Sequence, residues 1–329
     1  MSITCSSIFN VHKFVPADEN QWDEFVCKSK NGTFMLTRKF INYHGDKFVD
    51  ASLLVFKKDK LIAVLPANRK DNTVFSHQGL SYGGLVLKPF VKLSEVLAAF
   101  HAILKYYESI GVEEINIKHT PSLHHIAPSD EMLYAFFLTN STLYRRDAAI
   151  CLRPKDYKPN ENRRRKIKSA YSHNLTIRET QDMTGFWNNV LIPNLQIKHN
   201  GKPVHSLQDI QLLKDIFPQN IRQYNVYLGE EILGGTTLFN SEKTALAQYI
   251  SATDHGKSLD ALSPLFEYLI TSVCKDYEFF SFGHSNESNG RVLNDSLSYW
   301  KESFGGSTLI HDFYKTKISN HRLLESFLP

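Results

Sequence analysis

A chain of 329 residues is longer than one ordinary domain of about 150 residues, so two hydrophobic cores are expected. Hydrophobic residues make up 42% and charged residues 22%, which excludes a disordered or fibrous chain, and a formal net charge of +4 admits anionic ligands without selecting one. Cys5, Cys27, Cys151 and Cys274 lie far apart with no C-x-x-C pair, so neither a cysteine-based zinc site nor a disulfide framework is expected, and a reducing compartment fits.

In chain order, the opening MSITCSSIFNVHKFVPADEN lacks a basic segment followed by an apolar one, and no run of about 18 apolar residues occurs anywhere. A cytoplasmic protein with no transmembrane segment is therefore expected. After a first helix come Asn31-Gly32-Thr33-Phe34 and the stretch from Arg38 to Tyr43 and His44. Leu53 to Phe56, Leu61 to Asn68 and Thr73 to Gln78 read as three strands of a meander, joined by the polar turns Lys57-Lys58-Asp59-Lys60 and Lys70-Asp71-Asn72. Leu93 to Ile110 carries apolar residues at spacings of three and four and predicts an amphipathic helix, with Ser94 as its cap. The strand EEINIKH then ends at His119, a helix covers Asp130 to Asn140, and DAAICL closes the first half.

Two prolines and a polar run in RPKDYKPNENRRRK mark a boundary near residues 153–160, dividing the chain into 1–152 and 153–329. A basic helix from Glu161 to Tyr171, a strand from Leu175 to Glu179 and a polar loop with Lys198, His199 and His205 follow. Val226-Tyr227, Ile232 to Phe239 and Thr244 to Ile250 repeat the meander, Leu259 to Asp276 repeats the helix, and EFFSFGH repeats the strand, ending at His284. Val292 to Phe304 and STLIHDFY complete the match. Antiparallel meander, helix, strand, helix, strand, met twice in register, predicts an α/β chain with mixed sheets and two fused homologous halves. The competing reading is two unrelated α+β domains that share this pattern.

The stretches NRRRKIKSAYSHNLTIRE, PNLQIKHNGKPVHSLQDIQLLKDIFPQNIRQYNVYLGEEILGGTTLF and FFSFGHSNESNGRVLNDSLSYWKESFGGS carry a family likeness. The last closes on an aromatic-Lys-x-x-Phe-Gly pattern at Trp300, Lys301, Phe304 and Gly305. Together with the element order they resemble the Fem peptidyltransferases and their acetyltransferase-like relatives, bacterial enzymes with a tandem GNAT fold. The resemblance implies an N-acyltransferase that uses acyl-CoA, in the simplest case acetyl-CoA, as co-substrate and no metal. Its acceptor would be an amine of an amino sugar or related cell-envelope or surface-polysaccharide precursor, reached through peripheral contact with membrane-bound precursors where needed. It also admits a tRNA-dependent aminoacyl transferase of the peptidoglycan-bridge type, tRNA being the less favoured partner, and a catalytically silent module that binds a glycan or nucleotide-sugar. The second half is expected to carry the donor and the first to serve as acceptor platform or scaffold.

Acyl transfer to an amine needs a held carbonyl, a donor to the developing oxyanion and a proton acceptor, but no covalent nucleophile. The splayed strands of a GNAT sheet offer main-chain groups to the acyl chain. The Gln/Arg-x-x-Gly-x-Gly/Ala loop of an acetyl-CoA-binding GNAT domain is absent, and Ala252 to Ser258 stands in its place. Asp254, His255, Gly256, Lys257 and Ser258 are accordingly expected to form an anion nest for the cofactor. His199, His205, Tyr249 and His284 are the candidate catalytic groups, the last two by facing the cleft. Tyr43, His44, His77, Gln78, Tyr82, Lys198 and Lys301 are the candidate substrate contacts. The glycine-rich stretch from Phe75 to Gly84 reads either as a pocket with Tyr82 as a stacking face or as a turn. Arg163-Arg164-Arg165-Lys166 with Lys168 reads either as a tRNA contact or as a solvated helix face.

Overall fold

The computed structural model describes residues 8–199 and 201–328, apart from the side chains of Lys198 and His199, so Cys5 lies outside the described residues. Cys27, Cys151 and Cys274 are free thiols. Contacts divide the chain into two compact units, one of Met1–Arg146 with His311–Pro329 and the other of Asp147–Ile310.

The first unit opens with β1 (Phe9–Lys13), α1 (Glu19–Lys28) and α2 (Arg38–Ile41). The strands β2 (Val49–Asp50), β3 (Leu53–Lys57), β4 (Lys60–Leu65), β5 (Asn68–Lys70), β6 (Thr73–Phe75) and β7 (Val86–Leu87) follow. One sheet of four strands has the order β1, β3, β4, β7, antiparallel throughout. The single strand expected over Leu61 to Asn68 is in fact two strands in two sheets. Pro66 lies at the break, where it has no N–H to give to a ladder. β5 pairs with β2 and β6, and β6 runs parallel to β8 (Glu114–Lys118). Between them α3 (Leu93–Ser109) buries Val96, Phe100, Ile103, Leu104 and Tyr107, the stripe its spacing predicts. It starts one residue before the expected cap Ser94, and Glu95 reaches back to the Lys92 N–H at 3.0 Å. α4 (Glu131–Leu138) covers the same core.

β9 (Thr142–Leu152) leads into the second unit, where α5 (Glu161–Tyr171) has the expected bounds and Asn160 caps it by accepting the Arg163 N–H at 2.8 Å. β10 (Thr176–Thr180), α6 (Thr184–Phe186), a π-helical turn Trp187–Leu191, α7 (Ile192–His199) and α8 (Leu207–Ile216) come next. The meander β11 (Ile221–Leu228), β12 (Glu231–Asn240) and β13 (Thr244–Ala252) follows. The helix expected over Leu259 to Asp276 is α10 (Leu262–Tyr268) continued by a π-helical turn Leu269–Val273, and a separate short helix α9 (Asp254–Ser258) precedes it. β14 (Phe279–His284), the short pair β15 (Asn286–Glu287) and β16 (Val292–Leu293), and α11 (Asp295–Glu302) complete the unit. Its sheet runs β10, β11, β12, β13, β14, β9, with β13 and β14 parallel.

β17 (Ser307–Lys317) returns to the first unit, pairing antiparallel with β8, and the 3₁₀ segment Ile318–Phe327 adds Ile318 and Leu324 to that core. The expected division at 152/153 is corrected in this respect. DAAICL, expected to close the first half, pairs with β14 of the second, and the strand that carries STLIHDFY, expected to close the second half, pairs from Phe313 to Lys317 with β8 of the first. Each parallel strand has an open edge that an antiparallel partner must cover, and proximity in sequence does not decide which strand covers it. Among the described residues no helix is long and apolar enough to cross a membrane.

Candidate active site

In the second unit β13 and β14 pair only over residues 244–246 and 279–281, and beyond that point no register joins them. Two irregularities open the fork. Gln248 is an extra residue in β13, between the partners of Thr237 and Leu238. On β14 the register shifts between Ser281 and His284, where Gly283 takes a φ of 69°. Lys301 of α11 holds this bend: its buried ammonium donates to the carbonyl oxygens of Gly283 at 3.1 Å and His284 at 2.6 Å. Burial pulls its pKa down to about 8. Lys301, expected as a substrate contact, is thus a clamp on the main chain of β14. His284 is exposed at the end of that strand, opposite Ala149.

Tyr249 stands on β13 just past the bulge, and the loop before α8 brings His205 to it. The Tyr249 hydroxyl accepts the His205 backbone N–H at 3.3 Å and lies 2.6 Å from His205 Nδ1. With its oxygen accepting from the N–H, the hydroxyl donates its own proton to Nδ1. Trp187 donates its indole N–H to the His205 carbonyl at 3.4 Å and packs edge-on against Tyr249 with centroids 5.0 Å apart. Burial raises the Tyr249 pKa above the ordinary phenol range, so the phenol keeps its proton and His205 is the member able to take one up. Two candidates 44 residues apart in sequence are therefore one unit. A second polar pair lies farther along the same strand. Asn194 of α7 donates to Ser251 Oγ at 3.0 Å and accepts from Lys257 Nζ at 3.2 Å. Ser251 follows Tyr249 by two positions on the strand, and that polar alternation is the sequence signal that would have found it.

The anion nest expected over Asp254 to Ser258 is a closed helical turn. Thr253 Oγ1 accepts the Gly256 N–H at 2.9 Å, and the Thr253 N–H goes to the Leu233 carbonyl at 2.9 Å. A Cβ on Gly256 would lie 2.1 Å from that same carbonyl oxygen, so this glycine serves the packing of α9 on β12. Lys257 Nζ donates to Asp254 at 2.6 Å, His255 Nδ1 lies 3.1 Å from Glu231, and Ser258 Oγ donates to the His255 carbonyl at 2.8 Å. Each of the five expected cofactor contacts already has a partner within the protein. Lys198 and His199 end α7, and their side chains lie outside the described ones.

The basic helix α5 divides in the same way. Arg163 is buried, with Nε on Ser303 Oγ at 2.9 Å, a terminal nitrogen on Ser263 Oγ at 2.6 Å, and its guanidinium 4.3 Å from the Phe304 ring centroid. Lys166 pairs with Asp260 at 2.9 Å. Arg164, Arg165 and Lys168 are exposed.

In the first unit Tyr43, His44, His77 and Gln78 come together. The His44 ring centroid lies 3.9 Å from that of Tyr43 and 4.9 Å from that of His77, and Phe48 packs 5.1 Å from His77. His77 takes a φ of 66°, strained for a residue with a side chain, and burial together with His44 pushes its pKa to about 3. Gln78 exchanges two hydrogen bonds with Asn68, at 2.9 and 2.7 Å. Tyr82 is buried, its hydroxyl donating to Thr33 at 3.1 Å and its ring 4.4 Å from His124, so the expected stacking face is turned into the core. The equivalent fork between β6 and β8 is stoppered by its own chain. Gly83 donates to the Lys118 carbonyl at 2.7 Å, and Lys118 Nζ donates to the carbonyls of Gln78 at 3.0 Å and Leu80 at 2.6 Å. The second unit passes from β13 directly into α9.

No protein-family model matches the sequence, and no curated protein matches it. Solved structures do. FemX gives a TM-score of 0.64 at 10% identity, with 93% of this chain and 96% of FemX covered. L-PGS from Bacillus licheniformis gives 0.55 at 11%, covering 96% and 98%. A tandem GNAT protein from the clavulanic acid biosynthesis pathway gives 0.50 at 9%, covering 94% and 98%. At such identities the likeness establishes the fold: the chain has a tandem GNAT fold of the Fem type.

Proposed function

We propose that this chain is an acyltransferase that passes an acyl group to an amine, with the donor carbonyl held in the fork between β13 and β14. The fork itself, with the His205–Tyr249 pair on its rim, is the observation that carries this reading. Main-chain N–H groups along the fork polarise the carbonyl, and the proton the amine releases on attack passes to the Tyr249 oxygen as the hydroxyl hands its own proton to His205 Nδ1. The acceptor is an amino sugar or a related cell-envelope precursor in the cytoplasm.

Acyl-CoA is the first donor to test. The closed turn at α9 favours a second, an aminoacyl ester on tRNA, because a CoA pyrophosphate seeks free backbone N–H groups and this chain has bonded those of Thr253, Gly256 and Lys257 to itself. Thermal unfolding with acetyl-CoA at ~10 to 100 μM, beside binding of charged tRNA, decides between them. A melting shift with acetyl-CoA identifies a CoA thioester donor. Salt-sensitive binding of charged tRNA without that shift identifies aminoacyl transfer. If neither ligand binds and no amine is acylated, the transferase reading fails and a silent glycan-binding module replaces it.

A further inference from the structure

Where the end of the chain folds back on α3, three metal-ligating side chains meet. His101 of α3, with His321 and Glu325 of the 3₁₀ segment Ile318–Phe327, place their ligand atoms within 4.8 Å of one another. We propose that these three residues bind a divalent transition-metal ion of the zinc class and so fasten the C-terminal segment to α3. This site is independent of the acyltransferase reading, and it departs from the expectation of no metal.

The hydrogen bonding of His321 supports it first. Its Nε2 lies 2.9 Å from Glu108 Oε2. An ionised carboxylate only accepts, so Nε2 carries the proton and Nδ1 keeps a lone pair to offer. A carboxylate behind the non-ligating nitrogen is the usual support of a metal-bound imidazole, because it fixes the tautomer and raises ligand basicity. Arg322 approaches the other Glu108 oxygen at 3.6 Å.

The second support is what the imidazoles lack. His321 is 4% exposed, and its Nδ1 has no hydrogen-bond partner among the described residues. The same holds for His101 Nε2. Their rings are 5.3 Å apart by centroid. Two buried, unsatisfied nitrogens that meet at one point are costly unless a shared partner serves both, and a cation does so. Glu325 is exposed, which leaves an entry path and room for a water as fourth ligand. Two imidazoles and one carboxylate suit zinc, whereas magnesium and calcium seek oxygen ligands throughout.

The test uses the untagged full chain, stripped with chelator and titrated with zinc chloride by calorimetry, and with cobalt chloride by visible absorption. Binding of one ion per chain, a low-symmetry cobalt spectrum and a melting temperature that climbs with the logarithm of free zinc are the expected results. His101→Ala should abolish binding, and Glu325→Gln should weaken it by about tenfold or more. His321→Ala also breaks the Glu108 bond, so Glu325→Gln, which alters an exposed side chain, keeps the test decisive. Absence of saturable binding, or unchanged affinity in either His101→Ala or Glu325→Gln, overturns the site.

Discussion

Burial keeps the Tyr249 phenol protonated, and its hydrogen bond to His205 Nδ1 sets the orientation of the imidazole while the one from the His205 backbone N–H holds the hydroxyl. Removing the hydroxyl leaves the ring in its packing against Trp187 but frees the histidine to turn. Tyr249→Phe is therefore expected to lower kcat of acyl transfer by about tenfold to a hundredfold with little change in KM, and His205→Ala to lower it by about 10²–10⁴. Steady-state kinetics with urea unfolding on the same samples separates this from a loss of fold. Both residues were legible in sequence as polar groups at plausible places, but their pairing was not, since it depends on how the loop before α8 packs. Gly256 and Lys301 show the complementary difficulty. A glycine or a lysine near an anion site reads the same whether it meets a ligand or its own main chain. Only the 2.1 Å gap above Gly256 and the 2.6 Å bond from Lys301 tell them apart.

Among the elements, those with a strong period were the legible ones: α3 from its apolar stripe, α5 from its polar start, the second meander from its strands and polar turns. What periodicity misses is where an element bends. Pro66 splits one expected strand, another stops three residues early, ahead of His77 at φ 66°, and π-helical turns replace regular α-helix at Trp187–Leu191 and Leu269–Val273. The bend in β14 matters most for function, and Lys301→Met tests it. Methionine keeps the bulk of the stem but leaves the carbonyls of Gly283 and His284 without their donor. The expected outcome is a loss of about 1–3 kcal/mol in urea unfolding together with weakened donor binding. Full donor affinity in this variant would show that the fork holds its shape without the clamp.

Across the whole molecule, neutral buried histidines are gathered in the first unit. Burial pushes the pKa of His77 to about 3, of His119 to about 4 and of His124 to about 3. Each value lies below that of an unfolded histidine, about 6.5, so the unfolded chain binds more protons as the pH falls. The stability these residues contribute is complete above about pH 6.5 and is lost on the way down towards pH 4, by on the order of 1–2 kcal/mol each near pH 5. Urea unfolding at about pH 7.5 and about pH 5, with amide exchange to locate the change, should show protection falling first in the first unit. Equal loss in both units would contradict this. The duplication itself was legible from the repeated element order, but the exchange of closing strands was not, because a repeat records which elements exist and leaves open which edge each one fills.

That exchange also reorders events during synthesis. The second unit is one unbroken stretch of chain, while the first needs the strand pairing Phe313 with Lys118 and the apolar side chains of Ile318 and Leu324. On the ribosome, the half made first therefore waits with the edge of β8 bare and part of its core uncovered, and the half made second can close before it. Translation runs from the amino end, but completion starts in the middle of the message, and a chain cut short before residue 311 displays a sticky strand edge from its oldest part.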